Sequence, residues 1–213
     1  MAYKDFKFSD IKRQFGVQQN TDTLFDSAMN IIAPSEHLLY TLESAKEFPL
    51  TTEKAISEAL VFPILKEIKL NNRDSIELFS GEKLEADKSQ GLTGECDFIF
   101  AKAPGSKELM APIVSITEAK RGDINNPRSL SQAAAQLLGA RIFNQKNDLF
   151  IDPMYSACTS GSEWVFLRLQ NKMLTIDTNR YFISQLDSLL GVLQHIIDLN
   201  TQDRLKLDLI TSN

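Results

Sequence analysis

Histidine and cysteine are scarce in this chain of 213 residues, which has two of each. Cys96 and Cys158 are too few for a structural zinc site unless other ligands join them. His37 and His195 lie far from both in sequence. Each cysteine falls in a β-like run, where a buried free thiol is the expected state. With so little histidine, carboxylates and lysine are left as the candidates for acid–base chemistry. Long apolar runs are also missing. The N-terminus, Met1-Ala-Tyr-Lys-Asp-Phe-Lys-Phe, carries charge throughout and lacks the apolar centre of a signal peptide, so a soluble, cytoplasmic protein without a membrane partner is expected. There is no Pro-, Gly- or Ser-rich linker, repeat or low-complexity tract. At 43% hydrophobic residues the chain can bury one substantial core, and we expect one domain over residues 1–213, with a helical N-terminal extension over 1–48 and a core over 49–199.

The most informative residues lie in the middle of the chain. Ile113 to Ala119 is β-rich with Ser and Thr interleaved, and period-two alternation sends Val114, Ile116, Glu118 and Lys120 to one face. Asp97 opens the apolar run Phe98-Ile99-Phe100 just after Gly91 and Gly94, which read as turn residues. A hairpin between these strands brings Asp97 beside Glu118. Two carboxylates about 4 Å apart repel by about 4 kcal/mol at an effective dielectric near 20, so a positive charge belongs between them. Oxygen donors of this kind suit Mg2+ or Mn2+, which polarises a phosphoryl oxygen and lowers the pKa of bound water. Lys120 would then orient that water or stabilise charge developing on phosphorus. Taken alone, an acid-x-Lys on a strand is usually a solvated face.

Residues 51–68 read as a helix capped by Thr51 or Thr52, with acids in its first turn and a kink or division at Pro63. Glu58 has Val61, Phe62 and Leu65 at helical spacing and needs a partner; a salt bridge to Lys54 is the structural alternative to a role in a site. Asn126-Pro127 has the chemistry of a helix start, and the helix carries Gln132 and Gln136 one turn apart. The two amides face a phosphate, a bound water or the sheet backbone, or simply form a polar edge on an Ala-rich helix.

Together these residues resemble the PD-(D/E)xK phosphodiesterase superfamily, in an uncharacterised bacterial branch whose landmarks are Glu58-Ala-Leu-Val-Phe-Pro-Ile-Leu, Gly91-Leu-Thr-Gly-Glu-Cys-Asp97-Phe-Ile, Glu118-Ala-Lys120 and Thr159-Ser-Gly-Ser-Glu-Trp164-Val-Phe-Leu. The similarity runs from about Pro34 to about His195, and Cys96 stands where many members have Pro. The resemblance implies an α/β (α+β) restriction endonuclease-like core, a mixed β-sheet flanked by helices. It implies a metal-dependent nuclease, an endonuclease acting on DNA, with Asp97 and Glu118 as metal ligands and Lys120 assisting the attacking water. Glu58 would be a further ligand, Gln132 would position the phosphate or Lys120, and the Ala119 carbonyl would complete the metal shell. It also suggests a homodimer. Two other readings stand beside it: a non-catalytic binding or assembly module in a defence or repair complex, and a phosphohydrolase of small nucleotides.

The net charge of −5 opposes binding to a polyanion, although Lys102, Lys107, Lys120, Arg121, Arg128, Arg141 and Lys146 gather around the motif. Elsewhere the pattern predicts helices over Asp10–Phe15, Thr21–Ile32 and Ser35–Phe48, and a first core strand over Asp74–Phe79. Further strands are expected over Met154–Thr159, Trp164–Leu169 and Leu174–Asp177, with turns near Gly161 and Asn171. A closing helix is expected over Tyr181–Leu199, its apolar face made by Phe182, Leu186, Leu189, Leu190, Leu193 and Ile197. Trp164 reads as a core residue.

Overall fold

The computed structural model describes residues 1–25 and 31–211, with side chains as far as Asn200. Six α-helices and eight strands follow one another as α1 (Phe8–Phe15), β1 (Gln18–Asp22), α2 (Glu36–Ser44), α3 (Glu53–Ile56), α4 (Phe62–Asn71), β2 (Glu77–Asp87), β3 (Leu92–Ala101), β4 (Ile113–Ala119), α5 (Pro127–Lys146), β5 (Met154–Thr159), β6 (Glu163–Gln170), β7 (Met173–Asp177), β8 (Tyr181–Phe182) and α6 (Leu186–Thr211). The strands form one mixed sheet in the order β1-β7-β6-β5-β4-β3-β2, with β8 pairing to β6. The β1–β7 and β4–β5 pairs are parallel and the others antiparallel. The fold is therefore the mixed α/β sandwich expected from the order of elements.

Two apolar layers cover the sheet. Ala133 and Leu137 of α5 pack with Tyr3, Phe6, Ile99 and Ile116 on one face. Ile64, Leu65 and Ile68 of α4 and Leu189 and Leu193 of α6 pack with Phe98, Val114 and Phe166 on the other. β4 lies between them with all seven residues buried, which is why it reads as a nearly continuous β-rich run with Ser and Thr paired along the ladder. The edges are polar: β1 is exposed along its length, and β2 carries Glu82, Lys83 and Glu85. Charged edges discourage pairing with another chain.

Several boundaries differ from expectation. Of the predicted helix Thr21–Ile32, residues 26–30 lie outside the described residues, and Thr21 and Asp22 belong to β1. This polar strand has no apolar alternation, and its parallel pairing with β7 places it in the sheet. The first 48 residues are accordingly not a helical extension, because β1 joins the sheet and Tyr3 and Phe6 are each only 1% exposed. The strand expected over Asp74–Phe79 starts at Glu77 and continues to Asp87, and β3 begins at Leu92, ahead of Asp97. Gly91 does occupy the turn, at φ 79°, but Gly94 lies inside β3. The closing helix starts at Leu186; Tyr181 and Phe182 pair with Trp164 and Glu163 instead, and Phe182 is exposed.

Local signals explain the helices that carry the site. The Thr52 hydroxyl accepts the Ala55 N–H at 3.1 Å and starts α3. The kink expected at Pro63 takes the form of a π turn over Ser57–Val61, in which the Phe62 N–H reaches back to Ser57 O just before the proline that lacks an N–H. Asn126 caps α5 by accepting the Arg128 N–H at 2.9 Å, with Pro127 in the first turn. Among the described residues no helix is long and apolar enough to cross a membrane.

Candidate active site

Two irregularities in the sheet place the central acids. In the β2–β3 hairpin, the residues packed towards α5 are Leu84, Ala86, Leu92 and Cys96 on one side of the Gly81–Asp97 level and Phe79, Ile99 and Ala101 on the other. Even numbers thus give way to odd ones, and Gly81, at φ 68°, supplies the backbone conformation for the change. The β3–β4 ladder has its last pair at Phe98↔Thr117. Beyond it, the Asp97 side chain takes the place of a strand neighbour, with Oδ2 accepting the Ala119 N–H at 2.7 Å. On the other side of β4 the Lys120 N–H donates to Thr159 O at 2.7 Å, so Lys120 leaves the sheet at the end of the strand.

The expected alternation holds over Ile116, Glu118 and Lys120 but not at Val114. A register shift between Phe100 and Ala101 in the pairing with β4 puts Val114 in the layer opposite to Ile116. Glu118 is 2% exposed. Its Oε1 receives the Lys120 ammonium at 2.6 Å and the Gln132 amide, and its Oε2 receives the Gln136 amide at 2.5 Å. The two glutamines, one turn apart on α5, therefore reach a carboxylate rather than forming a solvated edge. Gln136 Nε2 also lies 3.4 Å from Glu95 O.

Burial pushes the Glu118 carboxyl up to about 7, with the Asp97 charge adding to the effect and Lys120 and the Gln136 hydrogen bond opposing it. The Asp97 carboxyl is likewise raised by burial, against the Ala119 hydrogen bond and the Lys120 charge. Burial works against the Lys120 ammonium, but Glu118, Glu53 and Asp97 overcome it and hold the pKa above its ordinary value. The result is two acids and a lysine in a poorly solvated corner of the sheet.

Glu58 does not join them. Its side chain is 69% exposed and its ion pair is with Lys54, at 3.8 Å, as the structural alternative had it. The acid that α3 delivers to the site is Glu53, whose Oε1 is 3.5 Å from Lys120 Nζ and whose Oε2 accepts the Arg121 N–H at 3.3 Å. Sequence reasoning missed Glu53 because an acid after an N-cap is explained by the helix dipole alone. The cysteines are buried free thiols, and burial raises both, Cys158 to about 12. Trp164 is fully buried, with its indole N–H donating to Gly161 O at 3.2 Å, and is a core residue.

Among the described residues, no three His, Cys, Asp or Glu side chains form a group able to hold a metal ion. Asp97 and Glu118 do match a smaller requirement. Mg2+ keeps much of its water and takes one or two protein carboxylates together with substrate phosphate. Both carboxyls have their pKa raised by burial, as expected of buried acids for which a cation would compensate. The chain matches no protein-family model and no curated protein, so its functional reading rests on this geometry.

Proposed function

We propose that this chain is a divalent-metal-dependent nuclease of the PD-(D/E)xK kind, with a restriction endonuclease-like core, that hydrolyses phosphodiester bonds in DNA. The observation that supports it most is the meeting of Asp97, from the middle of β3, with Glu118 and Lys120 at the end of β4, with Glu118 gripped by Gln132 and Gln136. Buried carboxylates with raised pKa values are a cost to the fold that a purely structural corner has no need to carry.

In this reading Asp97 and Glu118 hold Mg2+ or Mn2+, with the Ala119 carbonyl as a further oxygen donor. When bound, the ion supplies Lewis acidity and a more acidic water. Gln132 and Gln136 fix the Glu118 carboxylate so that it presents one orientation. Asp97, tied by Oδ2 to the Ala119 N–H, is fixed in the same way. The Lys120 ammonium offers a proton-bearing positive charge beside the acids, suited to orienting a nucleophile and to stabilising a developing phosphorane charge. Arg121, next after Lys120, and Arg128, in the first turn of α5, are both exposed and give the DNA backbone a local positive approach.

One observation favours a second reading, a nuclease-fold module that binds or assembles without cleaving. Both Glu118 oxygens are already engaged by protein donors. Calorimetry with manganese separates the two. Heat of binding at one site in the wild-type protein, absent in Asp97→Asn, is the outcome expected of the nuclease. A folded wild-type protein that binds no manganese supports the module.

A further inference from the structure

The Lys120 ammonium sits between two carboxylates of different character. Glu118 is buried and shared with two amides, whereas Glu53 is 51% exposed at the side chain and comes from another element. We infer that Glu53 is the positioning residue for Lys120. It spans the end of β4 with both oxygens, Oε1 at 3.5 Å from Lys120 Nζ and Oε2 at 3.3 Å from the Arg121 N–H, and so holds the side chain and the following backbone together. The inference rests on the nuclease reading for its kinetic consequence but not for its structural content.

Three features support this assignment. Glu53 has Lys120 and the Arg121 N–H as its partners at the site, whereas Glu118 is shared with the Gln132 and Gln136 amides and Asp97 is tied to the Ala119 N–H. The Thr52 cap fixes the start of α3 and with it the position of Glu53 in the first turn. The helix is in turn seated on the β5–β6 turn, where a Cβ added to Gly161 would come within 2.8 Å of Ile56 Cγ2 and 2.9 Å of Leu60 Cδ1. That close approach brings α3 against the turn that follows Thr159, the last residue of β5, whose O accepts the Lys120 N–H. Lys120 is thereby fixed at its backbone by β5 and at its ammonium by Glu118 and Glu53. With Glu53 removed, a long flexible side chain keeps a single anchor, Glu118 Oε1, which holds it back towards the buried carboxylate.

The test is Glu53→Gln, which keeps size and removes charge at a half-exposed position, with Glu53→Asp as the conservative variant. The expected result is a fall in kcat of roughly tenfold to a hundredfold with KM for duplex DNA unchanged, since misplacing a reacting group affects the chemical step rather than binding. Glu53→Asp should recover part of the loss. A second readout needs neither metal nor substrate: the Lys120 ammonium resonance in nitrogen-15 NMR, protected in the wild-type protein, should broaden or vanish in Glu53→Gln. Unchanged kcat together with a retained ammonium resonance overturns the assignment. A lower melting temperature with kcat and the resonance both retained also overturns it, because Glu53 would then only pin the backbone. If the wild-type protein cleaves nothing, the nuclease reading falls, and the resonance alone decides: its loss in Glu53→Gln upholds the positioning role and its retention removes it.

Discussion

Glu118 concentrates the conflict between stability and use in this molecule. Its carboxyl is pushed from 4.5 to about 7 by burial and by Asp97, so between those values the folded state holds a proton that the unfolded chain has released. Stability from this group is therefore greatest below about pH 4.5 and declines as pH rises through about 7, a change of about 3 kcal/mol for a shift of this size. Asp97, also raised, adds to the trend with the same sign. Urea unfolding of the metal-free protein from pH 5 to pH 8 should show stability falling with pH, and Glu118→Gln should flatten that slope; equal slopes in the two proteins would contradict the assignment. Glu58 offers a contrast at the same scale. Exposed and, among the described residues, paired with Lys54, it should tolerate Glu58→Ala with less than about 1 kcal/mol lost and no change in cleavage.

Among the elements, α3 and the π turn that follows it depend on a glycine in another part of the chain. Gly161 has φ 84° and no room for a Cβ against Ile56 and Leu60. Gly161→Ala should cost about 1–3 kcal/mol from backbone strain, and should also lower cleavage by moving Glu53, whereas a glycine needed only for its own turn would leave kcat intact. The elements also mark how far the sequence could be read. β4 and β5 have the bounds that their β-rich runs suggested, and α5 begins at the Asn126-Pro127 pair, because local pattern and tertiary packing agree there. β1 and β8 were not legible, since polar or two-residue strands owe their form to pairing partners far along the chain. At the site, Asp97, Glu118, Lys120 and Gln132 were visible from spacing. Glu53 and the parity change opposite Gly81 were not, because each becomes meaningful only when two distant segments are brought together.

The whole molecule carries a net charge of −5, so any approach to DNA relies on where its cations stand. Arg121 follows Lys120 on the connection to α5, and Arg128 lies in the first turn of α5, both exposed. The double change Arg121→Ser and Arg128→Ser should weaken duplex binding and reduce the slope of log affinity against log salt by about 2, read by fluorescence anisotropy, if each arginine displaces a counterion. Integrity of the sandwich depends equally on its first residues. Phe6 is 1% exposed in the layer beneath α5, and Phe6→Ala should cost about 3–5 kcal/mol in urea unfolding, far more than a surface appendage would. Tyr3 passes close to the same helix, where a Cβ at Gly139 would lie 2.8 Å from its ring, so the N-terminal segment and the glutamine helix are packed as one body.

The central claim is that Asp97, Glu118 and Lys120 form a hydrolytic centre for nucleic acid. Its most direct test is incubation of the purified protein with labelled duplex, single-stranded and branched DNA and with RNA, in magnesium and in manganese, beside Asp97→Ala and Lys120→Ala. The account predicts metal-dependent cleavage of DNA that both substitutions abolish while the fold is retained. Full activity in either variant, or a folded wild-type protein that cleaves none of these substrates with either metal, would contradict it.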